Sequence, residues 1–538
     1  MFFRIAYYTS LIGLLCGCAN VVAPTGGDKD ETPPEVVGSQ PENGATRFNT
    51  STVVIEFNEF IRLDNLQQKL IVSPALATMP QVKVKKKSLW IYFPSAPESN
   101  TTYTLNFGDA IRDMTEGNAI SSFTYVFSTG DVLDSLNLKG TLKDAYKGDA
   151  QEQMLVMLYN GTGDSLPYKS KPRYFTRTAA DGSYTLSNLR EGNYILFALD
   201  DRNGNYLFDQ PSERIAFYDS TVVLPTDHSV SLRMFTEPPE KPRLLEASMK
   251  RAGHLTLIFN MPVSDVNWQN MNEEVSVGRV IPGMIGTDTL SYWLPEMDAE
   301  HLTISVSAKG METDTVKLKT STISSLAVSE RFTPLQLSAG QTGKPMPGDV
   351  LSITSSHPVR TRNPDLITLW NDAQEKTTVE VKKDTTQPNT MAVTAPWHEG
   401  TSYLLEVMPG AFTDIMGFTN DTLRYRFTGG SLEDLGKMTV QLTIQDQKGD
   451  WILQVVDARD RVIRSQKGNG SGKVVFDKVI PAEYKLQLIM DVNGNGRWDS
   501  GEYRVKRLPE PMIHYPEKIT IRANWESEWI WDVGPVPK

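Results

Sequence analysis

The sequence predicts an all-β protein made of tandem β-sandwiches behind an N-terminal export signal. Three observations carry that expectation. Apolar residues come in short alternating runs rich in β-branched and aromatic side chains, as in Val53-Val54-Ile55-Glu56-Phe57, Leu89-Trp90-Ile91-Tyr92-Phe93 and Tyr103-Thr104-Leu105-Asn106-Phe107. Clusters of Gly, Pro, Asn and Ser separate these runs, and no long stretch past Pro34 places apolar residues at helical spacing. Finally, whole units of strand, turn and strand recur along the chain, which marks a modular architecture.

The start of the chain is an export segment. Arg4 supplies a positive charge, and Ile5 to Leu15 is apolar over the length of a signal peptide, too short to span a bilayer. The end of this stretch, Leu15-Cys16-Gly17-Cys18, resembles a bacterial lipoprotein lipobox. The resemblance implies cleavage before Cys18 and a covalent lipid on Cys18, with palmitate-type acyl chains on its thiol and amine. Several chains anchor stably where one gives marginal binding. These are the only two cysteines of 538 residues, so the mature chain would hold no free thiol for redox or nucleophilic chemistry. Two cysteines are also too few for a disulfide framework or a Cys-based zinc site. Ala19, rather than Asp, follows Cys18, which favours the outer membrane. The next residues, through Pro34, read as a flexible tether.

Pro24-Thr25-Gly26-Gly27, Lys29-Asp30 and Thr32-Pro33-Pro34 resemble the start of Bacteroidota lipoproteins that carry bacterial Ig-like domains of the S-layer (SbsA-like) type. In such proteins acidic residues near the acylated cysteine direct surface export. Asp28, Asp30 and Glu31 therefore favour the cell surface over the periplasmic face.

One repeated unit appears three times. Its first strand and bend read Val54-Ile-Glu-Phe-Asn-Glu-Phe60-Ile61, then Leu257-Ile-Phe-Asn-Met-Pro262-Val263, then Leu351 to Val359 through Pro358. A strand, a proline turn (Pro94, Pro295, Pro396) and another strand follow in each copy. Copies one and three share a further stretch, Gly108 to Asp113 and Gly410 to Asp414, which copy two lacks. The pattern resembles the SbsA-like Ig domains. A second unit appears twice: Tyr184 to Tyr194 running into Asp201, and Phe476 to Tyr484 running into Asp491. It resembles the prealbumin-like, carboxypeptidase-regulatory-type β-sandwich. The resemblances imply a signal peptide at 1–17 and a tether at 18–32. Ig-like domains follow at 33–131, 237–322 (divergent) and 323–432, with prealbumin-like sandwiches at 132–236 and 433–538.

The sharpest chemical motif lies in the last unit. Asp491, Asn493, Asn495, Gly496, Asp499 and Glu502 fit the calcium-loop spacing D-x-[DN]-x-[DN]-G-x5-E. Calcium needs several hard oxygen ligands, a glycine at position 6 for the sharp turn, and a bidentate Glu at position 12. Asn-Gly pairs are equally good hairpin turns, so a plain Asx-rich turn is the competing reading. Asp201, Asn203, Asn205 and Asp209 repeat the pattern, with Tyr206 at the glycine position and Glu213 one place late. A calcium ion in either loop would be structural.

Other motifs are weaker. Lys467-Gly468-Asn-Gly470-Ser-Gly472-Lys473-Val474 falls short of a phosphate loop and reads as a hairpin. Lys83, Lys85, Lys86 and Lys87 suit a solvated edge strand. Trp525, Trp529 and Trp531 are a candidate sugar-stacking platform, with sheet packing as the alternative. Asp-Ser/Thr triplets such as Asp288-Thr-Leu resemble O-glycosylation acceptors of Bacteroidota envelope proteins.

The six histidines are scattered singly, and no metalloprotease or nucleophile-elbow motif occurs. With 65 acidic against 54 basic residues the net charge is −11, unsuited to a nucleic-acid partner. The expected function is a non-enzymatic envelope lipoprotein: a rod of sandwiches serving as a binding or structural module, such as an accessory subunit of an outer-membrane protein complex. Its partner would be an envelope protein or a glycan. The alternatives are a surface glycan-binding adhesin and a glycan-processing hydrolase, for which only the region from Asp265 to Glu274 leaves room.

Overall fold

The computed structural model describes residues 30–161, 163–285, 288–322, 337–338, 343–384, 387–445 and 449–534. Residues 1–29, which include Cys18, the expected signal segment and the expected tether through Lys29, lie outside the described residues. No helix among the described residues is long and apolar enough to cross a membrane.

The described residues form five β-sandwiches, here called the first to fifth domains. In the first, Val36–Gln40, Thr52–Phe57, Ser88–Tyr92 and Gln81–Lys85 make one antiparallel sheet in that spatial order. Ile71–Ser73, Thr102–Asn106 and Thr124–Ser128 make the facing sheet. Alternation places Val53, Ile55 and Phe57 on the inner face, against Tyr103, Leu105 and Phe127 of the other sheet. The third domain repeats the four-stranded order with Leu244–Arg251, His254–Phe259, Thr289–Trp293 and Ile281–Ile285. The fourth repeats it with Leu337–Ser338, Leu351–Thr354, Thr390–Thr394 and Glu380–Lys383. Copies one and three also share a small side pair, Ile61–Leu63 with Ile111–Asp113 and Val359–Arg362 with Phe412–Asp414. That pair is the stretch copy two lacks in sequence.

The second and fifth domains have a topology of their own. Leu136–Asp144 pairs antiparallel with Ser183–Leu189 and parallel with Val230–Met234. Gly436–Ile444 does the same with Gly472–Val479 and Glu526–Val533. In each, a tyrosine hydroxyl bonds the carbonyl four residues back, Tyr194 to Arg190 and Tyr484 to Ile480. The long core strands Gly192–Leu199 and Glu483–Asp491 then deliver the chain to the two Asp/Asn loops.

The domains do not form a simple rod. The first docks on the second: Arg173 pairs with Glu98 at 2.5 Å, and Asn188 accepts from Thr104. The Phe175 amide donates to the Ser73 hydroxyl, and the Arg190 guanidinium donates to the Asn100 carbonyl. The fifth domain returns to the second. Tyr503 is 1% exposed and lies among Phe197, Phe217 and Tyr168 of the second domain, with ring centroids 5.0, 5.1 and 5.9 Å away. Ser500 donates to the Thr236 carbonyl at 2.6 Å, and Lys506 pairs with Asp164 at 3.0 Å. The Tyr503 amide bonds the Glu237 carboxylate, and Arg504 pairs with Glu240. A Cβ on Gly501 would lie 2.5 Å from the Phe235 ring, so the two backbones meet closely there. The expected rod is therefore corrected to a chain whose last domain closes on its second, because an aromatic wedge finds an aromatic socket.

Candidate functional site

Both Asp/Asn loops lie at this closure, and their residues can be compared position by position. In the fifth domain the Asp491 carboxylate accepts from the amides of Asn495 and Gly496, at 3.0 and 2.7 Å. Asn493 accepts from the Asn495 amide and Asn495 from the Arg497 amide. The side-chain amides of Asn493 and Asn495 both donate to Asp499, each at 2.5 Å. Gly494 and Gly496 supply the left-handed turns, with φ of 69° and 83°.

Glu502, the position-12 candidate, is not part of this constellation. It pairs with Arg507 at 3.1 Å and bridges to it through the backbone. Glu510 reaches in instead, accepting from the amides of Val492 and Asp499 at 2.8 and 3.0 Å. Burial, then the nearby Asp499 carboxylate, raises its pKa above the ordinary range. Two cations already serve this loop: Arg497 pairs with Asp499 at 3.4 Å, and the Lys467 ammonium lies against Gly496.

The second-domain loop keeps the same wiring. Asp201 accepts from the amides of Gly204, Asn205 and Tyr206. Asn203 and Asn205 donate their side-chain amides to Asp209, at 3.1 and 2.7 Å. Tyr206 adopts φ of 66° where the other copy has glycine. That left-handed conformation costs a non-glycine residue roughly 1–2 kcal/mol. Packing offsets it, because the Tyr206 ring sits edge-on to Phe175 at 5.0 Å.

Glu213 occupies the role of Glu510. One of its oxygens accepts from the amides of Asp209 and Gln210, and the Arg202 amide also faces its carboxylate. The residue is fully buried, and its other oxygen has no hydrogen-bond partner. Burial raises its pKa, with the Asp209 carboxylate contributing. Two carboxylates side by side, one buried with an unpaired oxygen, call for either a proton or a cation.

Among the described residues, no three His, Cys, Asp or Glu side chains group closely enough to hold a metal by themselves. The Asn oxygens would have to join, and an entering cation would displace the Asn–Asp209 hydrogen bonds. Sequence reasoning missed Glu510, which lies eleven residues beyond Asp499 at no motif spacing, and Tyr503, whose partners are in another domain. The only available signal for Tyr503 was a large aromatic residue beside a charged turn.

The remaining sequence candidates sit elsewhere. The three C-terminal tryptophans do not make one platform: Trp531 is buried, Trp529 packs against the same core, and Trp525 is exposed before the strand. Val462–Asn469 and Gly472–Val479 belong to different sheets, so the expected hairpin between them is instead a turn that carries the chain from one sheet to the other. Gln81–Lys85 is an edge strand, with the Lys85 ammonium 3.9 Å above the Trp90 ring. Asn267–Asn270, within the region from Asp265 to Glu274, is a strand paired with His301–Ser307.

Residues 30–129 match the family model described as a bacterial Ig-like domain. The chain is similar to the S-layer protein rSbsC(31-844), at 12% identity over 91% of this chain and 67% of that one, TM-score 0.14. It is similar to BcpA, the major pilin subunit of Bacillus cereus, at 9% over 74% and 99%, TM-score 0.14. It is also similar to the SGBP-B of a Bacteroides ovatus mixed-linkage glucan utilization locus, solved with a mixed-linkage heptasaccharide, at 8% over 83% and 99%, TM-score 0.18. These values are too low to carry a function from any of those proteins to this chain. Comparison with curated protein sequences finds no match.

Proposed function

We propose that the chain is a non-catalytic, lipid-anchored scaffold of the outer membrane, displayed at the cell surface, that holds β-sandwich faces in fixed relation for a binding partner. The observation that supports this best is the double docking onto the second domain. The first domain, which follows the Cys18 tether, and the fifth are both locked to it by ion pairs and by Ser73, Ser500 and Tyr503. Rigid placement of several domains suits an accessory subunit of an outer-membrane protein assembly, because preorganised partners lose less freedom on binding.

Calcium would be structural in this reading, held by Asp201, Asn203, Asn205, Asp209 and Glu213 more readily than by the loop at Asp491. Such extracellular modules bind calcium at about 10⁻⁴–10⁻³ M. Purification of the native lipoprotein from detergent-solubilised membranes tests the scaffold. Co-purification of an envelope protein in fixed ratio is expected, and recovery of the chain alone, or turnover in a hydrolase screen, would overturn it. Protease access on intact cells separates surface display from the periplasmic face. A glycan partner is the second reading, and a groove on the fourth domain favours it.

A further inference from the structure

The first and fourth domains are copies, yet they use one face differently. Tyr103 and Tyr403 are equivalent, each accepting from the amide five residues earlier, of Glu98 and His398. The strand registers then superpose. Ser73 lies opposite Thr104 and Trp370 opposite Leu404, while Val126 and Arg426 lie opposite the same two residues on the other side. In the first domain this outer face is covered: Ser73 and Thr104 bond Phe175 and Asn188 of the second domain. In the fourth domain the matching face is open and forms a groove of about 690 Å³, lined by Trp370, Asp372, Gln374, Ser402, Glu406 and Arg426. That volume lies within the range of small-ligand sites, and a flat sandwich would leave it unfilled.

The groove is organised in advance. The Trp370 indole donates to one Glu406 oxygen at 2.9 Å, and Arg424 donates to the other at 2.9 Å. The ring is thereby fixed and the Glu406 charge is neutralised internally. The Lys376 ammonium stands 5.5 Å from the ring centroid. Arg426 is exposed, its side chain makes no hydrogen bond among the described residues, and it adds its charge to that of Arg424 on the Glu406 carboxylate. Of the described residues lining the groove, Arg426 is thus the one cation, beside Asp372 and a Glu406 already bonded by Trp370 and Arg424.

We propose that this groove binds an anionic saccharide, one sugar ring lying on Trp370 and its carboxylate or sulfate paired with Arg426. An indole face accepts the C–H face of a pyranose. A guanidinium matches a planar oxyanion bidentately. Asp372, Gln374 and Ser402 offer the acceptors and donors that ring hydroxyls require. The proposal rests on reading the chain as a binding module, but it concerns a face unrelated to the docking joint.

Calorimetry on the purified full-length lipoprotein in detergent tests it, with an oligogalacturonide, a sulfated heparin oligosaccharide and a neutral cello-oligosaccharide as probes. Saturable binding of at least one anionic probe is expected, ten-fold or more tighter than the neutral one. Arg426→Ala should weaken it about ten-fold or more, since a charge-assisted bond contributes about 1.5–3 kcal/mol. Arg426 is exposed, so its variant should melt like wild type. Trp370→Phe should weaken binding less than Trp370→Ala. Binding of neither anionic probe, equal binding of the neutral one, or indifference to Arg426→Ala overturns the proposal. Co-purification with an envelope protein is scored separately, so failure here leaves the scaffold reading standing or falling on its own result.

Discussion

The loops 201–213 and 491–510 follow one wiring plan and differ in how their charge is balanced. At Asp491 the supporting carboxylate, Glu510, has both oxygens bonded, and Arg497 and Lys467 stand beside the loop. At Asp201 the matching Glu213 is fully buried with one oxygen unpaired. The loop that best fits the calcium spacing is therefore the one with less need of a cation, and the imperfect copy has more. Spacing describes backbone turns, whereas electrostatic need depends on neighbours that no local motif encodes.

The largest expected effect breaks the joint that both loops flank. Tyr503→Ala removes a buried aromatic ring from a cluster of four or more rings, a change that typically costs about 3–5 kcal/mol. Thermal melts should fall by several degrees, and limited proteolysis should begin near residues 498–508. An unchanged melt would mean that the closure carries no stability. Next comes the cation itself. At 10 mM calcium, a site of about 10⁻⁴ M affinity adds roughly 2.7 kcal/mol. Asp201→Ala should abolish the difference between calcium and chelator melts, while Asp491→Ala keeps most of it. The reverse result would return the site to the fifth domain.

Acid–base behaviour sharpens the comparison further. The Glu213 carboxyl binds its proton more tightly folded than unfolded. Without calcium, the stability it contributes is full below the unfolded value near 4.5 and is lost as pH rises through the raised folded value. Glu213→Gln should flatten that slope in chelator and erase the response to calcium, as read by melts across pH 4–8. His254, stacked on Trp293 at 4.0 Å between the third and fourth domains, gives a control of opposite sign. Burial, then Arg251, lowers its pKa to about 4. Its contribution is full above the unfolded value near 6.5 and is lost as pH falls towards 4, so His254→Phe should remove an acid-side slope only. The smallest effect is expected from Tyr503→Phe. The Tyr503 hydroxyl is buried without a partner, so deleting it should be neutral or slightly stabilising. A loss beyond about 1 kcal/mol would reveal a bond not evident in the geometry.

The sandwich build was legible in the sequence because it rests on local alternation. Val53, Ile55 and Phe57 face inward simply as every second residue of one strand. The kinship of copies one and three was legible too, since Asp113 and Asp414 end the same side strand and receive the following amides in the same way. The candidate site was legible only in part. Asp491, Asn493, Asn495 and Asp499 gather as their spacing suggests, but Glu510 displaces Glu502 because the chain turns at Lys506, with φ of 54°, and returns. The docking of Tyr503 and the open face at Trp370 depend on which domains touch. A residue such as Arg426, on an edge strand of alternating polarity, carries no local mark of that.

The closure at Tyr503 also fixes how the molecule would bear a load. Tension entering through the first domain and leaving through the fifth would pass across the second by way of this joint. The third and fourth domains would hang slack beside that path. The joint would then act as a fuse: once the Tyr503 ring slips from its socket, the chain gains the length of two intact sandwiches before any core strand is pulled out.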